Sequence, residues 1–127
     1  MAQQLTIPQL EKMATTIRED IIKMVEKAGS GHCAGPLDQA DIYTALYFHI
    51  MKHDPKNPDW EERDILIQSN GHTVPVRYAA MARAGYLPVE ELGTLRQLGS
   101  RLQGHPERTK LPGLETTSGP LRSGISQ

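Results

Sequence analysis

The stretch Asp64-Ile65-Leu66-Ile67-Gln68-Ser69 decides between an all-helical and an α/β fold. Its three consecutive apolar residues are bounded by polar ones, and a short run of this kind is typical of a buried parallel strand. We expect a strand here and helices elsewhere, which makes α/β the predicted fold class. A lone strand leaves its backbone hydrogen-bonding groups without partners. Several helices with one buried strand are therefore an unusual set of elements for a complete domain.

Helices are predicted on both sides of this strand. The most regular spans Leu10–Ala28, where apolar residues recur at steps of three and four and charged residues occupy the other face. Thr6, Pro8 and Gln9 predict a capping-box start, and Gly29 predicts a left-handed end. Further helices are expected over Leu37–Met51, over Val74–Ala84 with Gly85 ending it, and from Pro88 to Gly99; His53–Trp60 is expected to be a connection and Gly99–Gln127 a loop-rich tail.

The composition excludes several classes of protein. The chain has 127 residues with Lys+Arg 14 and Asp+Glu 15, for a net charge of −1, and this length corresponds to a single domain. Without a run of basic residues it does not predict nucleic-acid binding. Cys33 is the one cysteine, which excludes an intramolecular disulfide. With no leader-like N-terminus and no run of about 18 apolar residues, we expect a cytoplasmic protein that does not enter a membrane.

Three of the five histidines follow a glycine, in Gly31-His32, Gly71-His72 and Gly104-His105. Each pair lies in a predicted loop, where glycine allows the backbone to approach another group closely. A pocket lined by these imidazoles would donate hydrogen bonds and transfer protons near neutral pH. The alternative is that each pair is an ordinary helix cap with its imidazole in solvent.

Three weaker patterns also leave alternatives. His49 and His53 have the spacing of zinc ligands on one helix face, but no third ligand is near, so a solvated helix end is the better interpretation. Cys33 next to His32 suggests a thiolate nucleophile, although a small buried loop cysteine is favoured. The segment Thr116–Gly124 is rich in Gly and Ser, as in a phosphate-binding loop, but it lacks the Gly-Lys-Ser/Thr ending, and a flexible linker would look similar.

A series of motifs in a fixed order decides among these alternatives. They are Ser30-Gly31-His32, Ala40-Asp41-Ile42, Ala45–His49, Asp54–Trp60, Arg63-Asp64, Ser69–His72, Ala84-Gly85-Tyr86, Leu95–Arg101, Gly104–Glu107 and Gly119-Pro120-Leu121. In this order the sequence resembles the amino-terminal part of transketolases over about Ile17–Gln127. The deoxyxylulose-phosphate synthase type of enzyme is a weaker match, because Asp54–Trp60 and the Leu-Gly-Ser-Arg stretch resemble transketolase proper.

The resemblance implies a fold, a cofactor, a reaction and a set of site residues. The complete fold that it implies is a parallel sheet between helix layers, of which residues 1–127 form the leading, mostly helical part. Transketolases bind thiamine diphosphate with Mg²⁺ or Ca²⁺ and move a two-carbon ketol unit between sugar phosphates, as in the pentose phosphate pathway; the cofactor carries the difficult chemistry. By position, His32 and His105 match catalytic histidines: His32 meets substrate hydroxyls and assists proton transfer, and His105 hydrogen-bonds the hydroxyl end of the donor. The matches to cofactor-binding residues are His72 on the diphosphate side and Gly119, Pro120 and Leu121 against the thiamine.

The resemblance also shows departures from the family. Cys33 stands where the family usually has Pro or Ser, and Arg122 where it has Gly; a long charged side chain at 122 is expected to weaken the cofactor fit. The family's metal motif and its pyrimidine-binding domain, with the activating Glu, are not in this sequence. We expect the chain alone to be inactive and to need the rest of a transketolase or a complementary subunit. The resemblance implies a homodimer for the complete enzyme; the alternative is a non-catalytic helical fragment that binds a partner.

Overall fold

A computed structural model of the chain describes residues 4–121 and 123–126, without the side chains of 123 and 125. The described part is mostly helical. Its α-helices are α1 (Ile7–Ala28), α2 (Ala34–Asp38), α3 (Ala40–Ala45) and α4 (Val74–Ala84), with a π-helical turn at Leu46–Ile50 and 3₁₀ turns at Gly71–Thr73, Val89–Thr94 and Ser123–Ser126.

Helix α1 confirms the most regular prediction, and it begins three residues earlier than its apolar pattern. The Gln9 side-chain oxygen accepts a hydrogen bond of 2.9 Å from the Thr6 backbone N–H, which is half of a capping box. At the other end Gly29 has φ +67°, and its N–H donates to the carbonyls of Val25 and Glu26. Glycine adopts this left-handed conformation without a steric cost, so the helix ends where the sequence predicts.

The helix predicted over Leu37–Met51 is interrupted, and this prediction is corrected to three short pieces. Gln39, with φ −88° and ψ 0°, separates α2 from α3. After α3 the helical hydrogen bonds span five residues instead of four, since the Met51 N–H donates to the Leu46 carbonyl. The expected short helix between Pro88 and Gly99 is likewise limited to the 3₁₀ turn at Val89–Thr94.

The strand predicted at Asp64–Ser69 is not formed within residues 4–121 and 123–126. The backbone is irregular there and forms no β-ladder with that part of the chain, although the Asp64 N–H donates to the Lys52 carbonyl at 2.8 Å. The side chains still alternate: Ile65 is 64% exposed and Ile67 42%, whereas Gln68 is 3% exposed and donates to the Thr73 hydroxyl at 2.8 Å. One face is therefore covered and the other is open, as expected for a strand that lacks its neighbours. The parallel sheet remains a prediction.

The hydrophobic core forms where α4 packs against α1 and α3. Nine consecutive residues of α4, 74 to 82, are buried, so this helix is surrounded by the rest of the chain. Helix α1 contributes only one stripe, in agreement with its amphipathic pattern; its buried apolar residues are Ala14, Ile17, Ile21 and Met24. No helix among the described residues has the length and apolar character needed to cross a membrane.

The core also contains a buried cation among aromatic rings. Arg77 on α4 is 1% exposed and donates from Nη2 to the Gly113 carbonyl at 3.2 Å.

His53, 2% exposed, lies between Tyr47 and Tyr86. Its Nε2 donates to the Tyr47 carbonyl at 2.6 Å, so its Nδ1 accepts from the Tyr86 hydroxyl at 2.9 Å. The interpretation of His53 as part of a solvated helix end is therefore wrong.

A two-bonded ion pair ties α1 to α4. Arg83 donates from Nε and Nη2 to the two carboxylate oxygens of Asp20, at 2.7 and 2.9 Å, and the Asp20 side chain is 7% exposed. Replacing Asp20 with Ala is expected to lower the free energy of unfolding by about 2 kcal/mol, because it leaves the Arg83 guanidinium partly buried without its partner. Urea unfolding followed by circular dichroism measures this.

The control for this prediction is the exposed pair of Glu19 and Lys23, whose atoms lie 3.8 Å apart on the surface of α1. Glu19→Ala is expected to change the free energy of unfolding by less than about 0.5 kcal/mol. Equal losses for the two variants would contradict the assignment of stability to the buried pair.

Candidate functional site

The first Gly-His pair lies in the loop between α1 and α2. Gly31 has φ +131°, a backbone conformation that side chains rarely allow, so glycine is required there. The exposed His32 follows, and its ring meets the ring of His72 edge to face with centroids 5.1 Å apart. Two of the three sequence-predicted imidazoles are therefore in contact.

The second Gly-His pair lies in the 3₁₀ turn that leads into α4. A Cβ added at Gly71 would lie 2.6 Å from the carbonyl oxygen of Ser118, so the turn rests directly on the backbone of the tail. On the other side of this turn, a Cβ at Gly35 would lie 2.7 Å from Cγ2 of Thr73. Glycine thus allows the turn to pack between the start of α2 and the tail.

The third Gly-His pair lines an open cleft of about 630 Å³. The tail passes close to the exposed His105, since a Cβ at Gly119 would lie 3.8 Å from its Cδ2. The cleft wall is fixed from α4, because the Tyr78 hydroxyl donates to the Gln103 carbonyl at 2.9 Å. Burial raises the pKa of Tyr78, so this hydroxyl keeps its proton. The cleft is lined by Ser30, Arg96, Gln103, Gly104, His105, Pro106, Glu107, Thr117 and Ser118.

The structure brings some of the predicted site residues together and leaves others apart. His105 lines the cleft and contacts Gly119, whereas His32 and His72 contact each other beside it and do not line it. The Gly71 contact with Ser118 joins the two groups. Farther along the tail Pro120 and Leu121 are exposed, Leu121 at 67%. Arg122 lies outside the described residues.

The rings of His32, His72 and His105 make no hydrogen bond to the part of the chain that the structure describes, unlike the ring of His53. Their nitrogens are thus available to a ligand. The Ser118 hydroxyl is buried and also has no hydrogen-bond partner among the same residues. A buried polar atom of this kind costs free energy unless a partner satisfies it. The arrangement fits a polar ligand that accepts and donates several hydrogen bonds.

The other candidate groups do not assemble into sites of their own. Cys33 is half-buried and free at the start of α2, which agrees only in part with a buried loop cysteine. His49 is exposed, and its Nδ1 donates to the Leu5 carbonyl at 3.2 Å. Within residues 4–121 and 123–126, no three His, Cys, Asp or Glu side chains come together to hold a metal ion.

Sequence reasoning missed the residues that frame the cleft. Tyr78 and Arg96 were not predicted as site residues, because a buried tyrosine and a loop arginine have no distinctive local pattern. Ser118 was included only as part of the glycine- and serine-rich segment Thr116–Gly124. The signal available for Arg96 was its position within the motif Leu95–Arg101.

Comparison with known proteins identifies the family. Residues 9–127 match the family described as "Transketolase, thiamine diphosphate binding domain". The match covers most of the chain, which therefore belongs to the transketolase thiamine diphosphate-binding domain family.

Individual relatives agree with this assignment. The chain is 47% identical over 119 residues to the chloroplastic transketolase of Spinacia oleracea, covering 92% of this chain and 16% of that protein. It is 42% identical over 117 residues to the "6-deoxy-6-sulfo-D-fructose transketolase subunit SqwG" of Clostridium sp. (strain MSTE9), covering 92% of this chain and 42% of that subunit. The chain therefore spans less than half the length of either relative.

Solved structures show the same fold. The transketolase of Pichia stipitis, in complex with sedoheptulose-7-phosphate, superposes with a TM-score of 0.87 and 43% sequence identity. The superposition covers 91% of this chain and 17% of that one. The helical arrangement around the cleft is therefore that of the corresponding part of a transketolase.

Proposed function

We propose that this chain supplies the amino-terminal part of a thiamine diphosphate site in a transketolase-type enzyme that moves a two-carbon ketol unit between sugar phosphates. The observation that carries the proposal is the convergence of three imidazoles from three separate loops, around and beside one cleft, with no hydrogen bond from their rings to the described residues. Its substrate class is supported by the Pichia stipitis transketolase, which was solved with a sugar phosphate.

The residues around the tail fit the cofactor. Gly119 leaves open space next to His105, and Ser118 offers a buried hydroxyl without a partner among the described residues. In our proposal Gly119, Pro120 and Leu121 lie against the thiamine and His72 binds on the diphosphate side. Thiamine diphosphate supplies the carbanion-stabilising chemistry when bound. The divalent metal, Mg²⁺ or Ca²⁺, takes its ligands from outside this chain.

The substrate side of the site is proposed to belong to His32 and His105. An imidazole has a pKa close to neutral pH, so it can donate a hydrogen bond to a sugar hydroxyl or carry its proton. His105 lines the open cleft, where it can reach the hydroxyl end of a donor sugar. His32 lies beside it, in ring contact with His72. In our proposal His32 therefore lies between the substrate and the cofactor.

The chain is proposed to work with a second polypeptide segment. The relative SqwG is named as a transketolase subunit, which is a precedent for a transketolase divided between chains. In this proposal the complementary segment brings the metal ligands, the pyrimidine-binding domain and its activating carboxylate, and the complete enzyme is a homodimer of such units in the cytoplasm.

The experiment is an assay of ketol transfer with thiamine diphosphate and Mg²⁺, using the chain alone and the chain mixed with a complementary transketolase segment. We expect no turnover from either component and turnover from the mixture. A second mixture contains the His105→Asn variant in place of the wild-type chain. Its kcat/KM is expected to be about 10²-fold lower or more, because a general acid–base group typically contributes 10²–10⁴-fold. A mixture that binds but shows no turnover would favour the non-catalytic alternative.

A further inference from the structure

Arg96 has an unusual backbone conformation for its residue type. Its φ is +60°, and no other non-glycine residue in the described part of the chain has a positive φ. A side chain adopts this region at a cost, so the surroundings must hold it there. Its N–H donates to the Leu102 carbonyl at 2.9 Å, which closes the loop from 96 to 102 on itself. This conformation directs the Arg96 side chain across the cleft.

The Arg96 side chain connects two loops that are far apart in sequence. Its Nε donates to the Ser30 hydroxyl at 3.0 Å, over a separation of 66 residues. Its Cδ lies 3.8 Å from the position of a Cβ at Gly31. At its other end the guanidinium covers Gly104, where an added Cβ would overlap Nη1. The side chain therefore lies flat over the two glycines that precede His32 and His105.

We propose that Arg96 is a positioning residue that holds the loops of His32 and His105 at a fixed separation. The inference rests on the proposed function, because a fixed separation matters only if both imidazoles address one ligand. The two glycines contribute differently: a Cβ at Gly104 would overlap the guanidinium, whereas Gly31 is needed for its φ of +131° and has room for ordinary contact with the Arg96 side chain. A rigid pair of loops pre-organises the site and avoids an ordering cost when the ligand binds.

The test is Arg96→Gly, because glycine relieves the backbone strain at φ +60° and removes only the side-chain bridge. The matched control is Arg108→Gly, which removes an equal charge from an exposed arginine that does not line the cleft. Backbone ¹⁵N relaxation of the chain without ligands reports the order parameters of Gly31 and Gly104. We expect values of about 0.85 in wild type and in the control, and values below about 0.6 in Arg96→Gly.

Two further variants test separately the hydrogen bond from Arg96 to Ser30 and the packing of the Arg96 guanidinium over Gly104. Ser30→Ala removes the hydrogen-bond acceptor and is expected to loosen Gly31 while Gly104 stays ordered under the guanidinium. Arg96→Lys keeps a charge without the planar group and is expected to loosen both loops. Unchanged order parameters in Arg96→Gly, or mobile loops in wild type, would overturn the proposal.

Kinetics of Arg96→Gly in the assembled enzyme distinguish a failure of this inference from a failure of the proposed function. If the loops loosen in Arg96→Gly, the KM for the donor sugar phosphate is expected to rise about tenfold or more, as for one lost hydrogen bond and its geometry. Loosened loops with unchanged KM and kcat would leave the bridge standing and count against the roles of His32 and His105.

Discussion

Raising the pH well above 10 is expected to unfold the protein in one cooperative step, because its four tyrosines are held protonated in the folded state. Burial raises the pKa of Tyr43, Tyr47, Tyr78 and Tyr86 above the ordinary value of 10.0. Nearby Arg77 opposes this increase at all four positions, but burial has the larger effect.

The sign of the effect follows from proton binding. Above pH 10 the unfolded chain loses its tyrosine protons while the folded chain keeps them, so stability falls as the pH rises. The three most buried tyrosines are Tyr43, Tyr47 and Tyr78, at 6%, 3% and 0% exposure. At about 1.4 kcal/mol per pH unit for each, they lower the free energy of unfolding by about 4 kcal/mol per pH unit. Half-exposed Tyr86 adds less.

The free energy of unfolding of a typical domain is about 5–15 kcal/mol. At this slope it reaches zero about 1–4 pH units above pH 10. The measurement is a pH titration that follows tyrosinate absorbance and helical circular dichroism together. The two signals are expected to change at the same pH, well above 10. Tyr78→Phe is the matched variant, and its stability should fall less steeply with pH. Tyrosinate forming near pH 10 in a chain that stays helical would contradict the prediction.

Replacing Gly71 with Ala is expected to separate the turn before α4 from the tail and to disrupt the cofactor side of the site. The new Cβ would lie 2.6 and 2.8 Å from the carbonyl oxygen and carbon of Ser118, and main-chain atoms cannot rotate away as a side-chain end does. Overpacking of this kind costs about 1–3 kcal/mol in folding free energy. Because His72 and Gly119 flank the contact, affinity for thiamine diphosphate should fall about 100-fold in the assembled enzyme.

Thermal unfolding and cofactor titration by calorimetry measure the two effects of Gly71→Ala. The informative second variant is Gly71→Ala combined with Ser118→Gly, which removes the serine side chain but leaves the backbone in place. We expect no recovery of stability or affinity. Recovery in the double variant would show that the hydroxyl of Ser118, 2.9 Å from the added Cβ, causes the clash.

Local patterns predicted the helix ends well. Gly29 and Gly85 both adopt left-handed conformations, with φ +67° and +102°, and each ends its helix where the sequence indicates. These ends depend on the conformational freedom of single residues, which the sequence displays directly. The amphipathic face of α1 was equally visible, because a 3.6-residue period requires no knowledge of the partner.

Predictions that depended on distant contacts were less successful. The apolar residues of 64–69 indicate a strand, but a strand needs a neighbour that pairs along its length, and none of the described residues forms such a ladder with it. His53 was placed in solvent because its partner Tyr86 is 33 residues away in sequence. The burial of Arg77 was equally hidden, since arginine on a helix is usually exposed.

The three Gly-His pairs were predicted in part from local sequence and in part depend on distant contacts. Their repetition predicted a shared pocket, and the structure brings His32 to His72 and places His105 on the cleft. The contacts that achieve this, through Gly71 with Ser118 and through Arg96 with Ser30, could not be predicted from local sequence. Their roles toward cofactor and substrate remain proposals.

The bridge from Arg96 to Ser30 also has a consequence for synthesis of the chain. During translation, residues 30 and 31 leave the ribosome long before residues 96 to 118, so one side of the cleft is made well before the other. Contacts of such long sequence separation form late in folding, after local helices such as α1. A nascent chain therefore carries α1 with its apolar stripe uncovered until α4 arrives, and the cleft is complete only after residues 103 to 118 have been made.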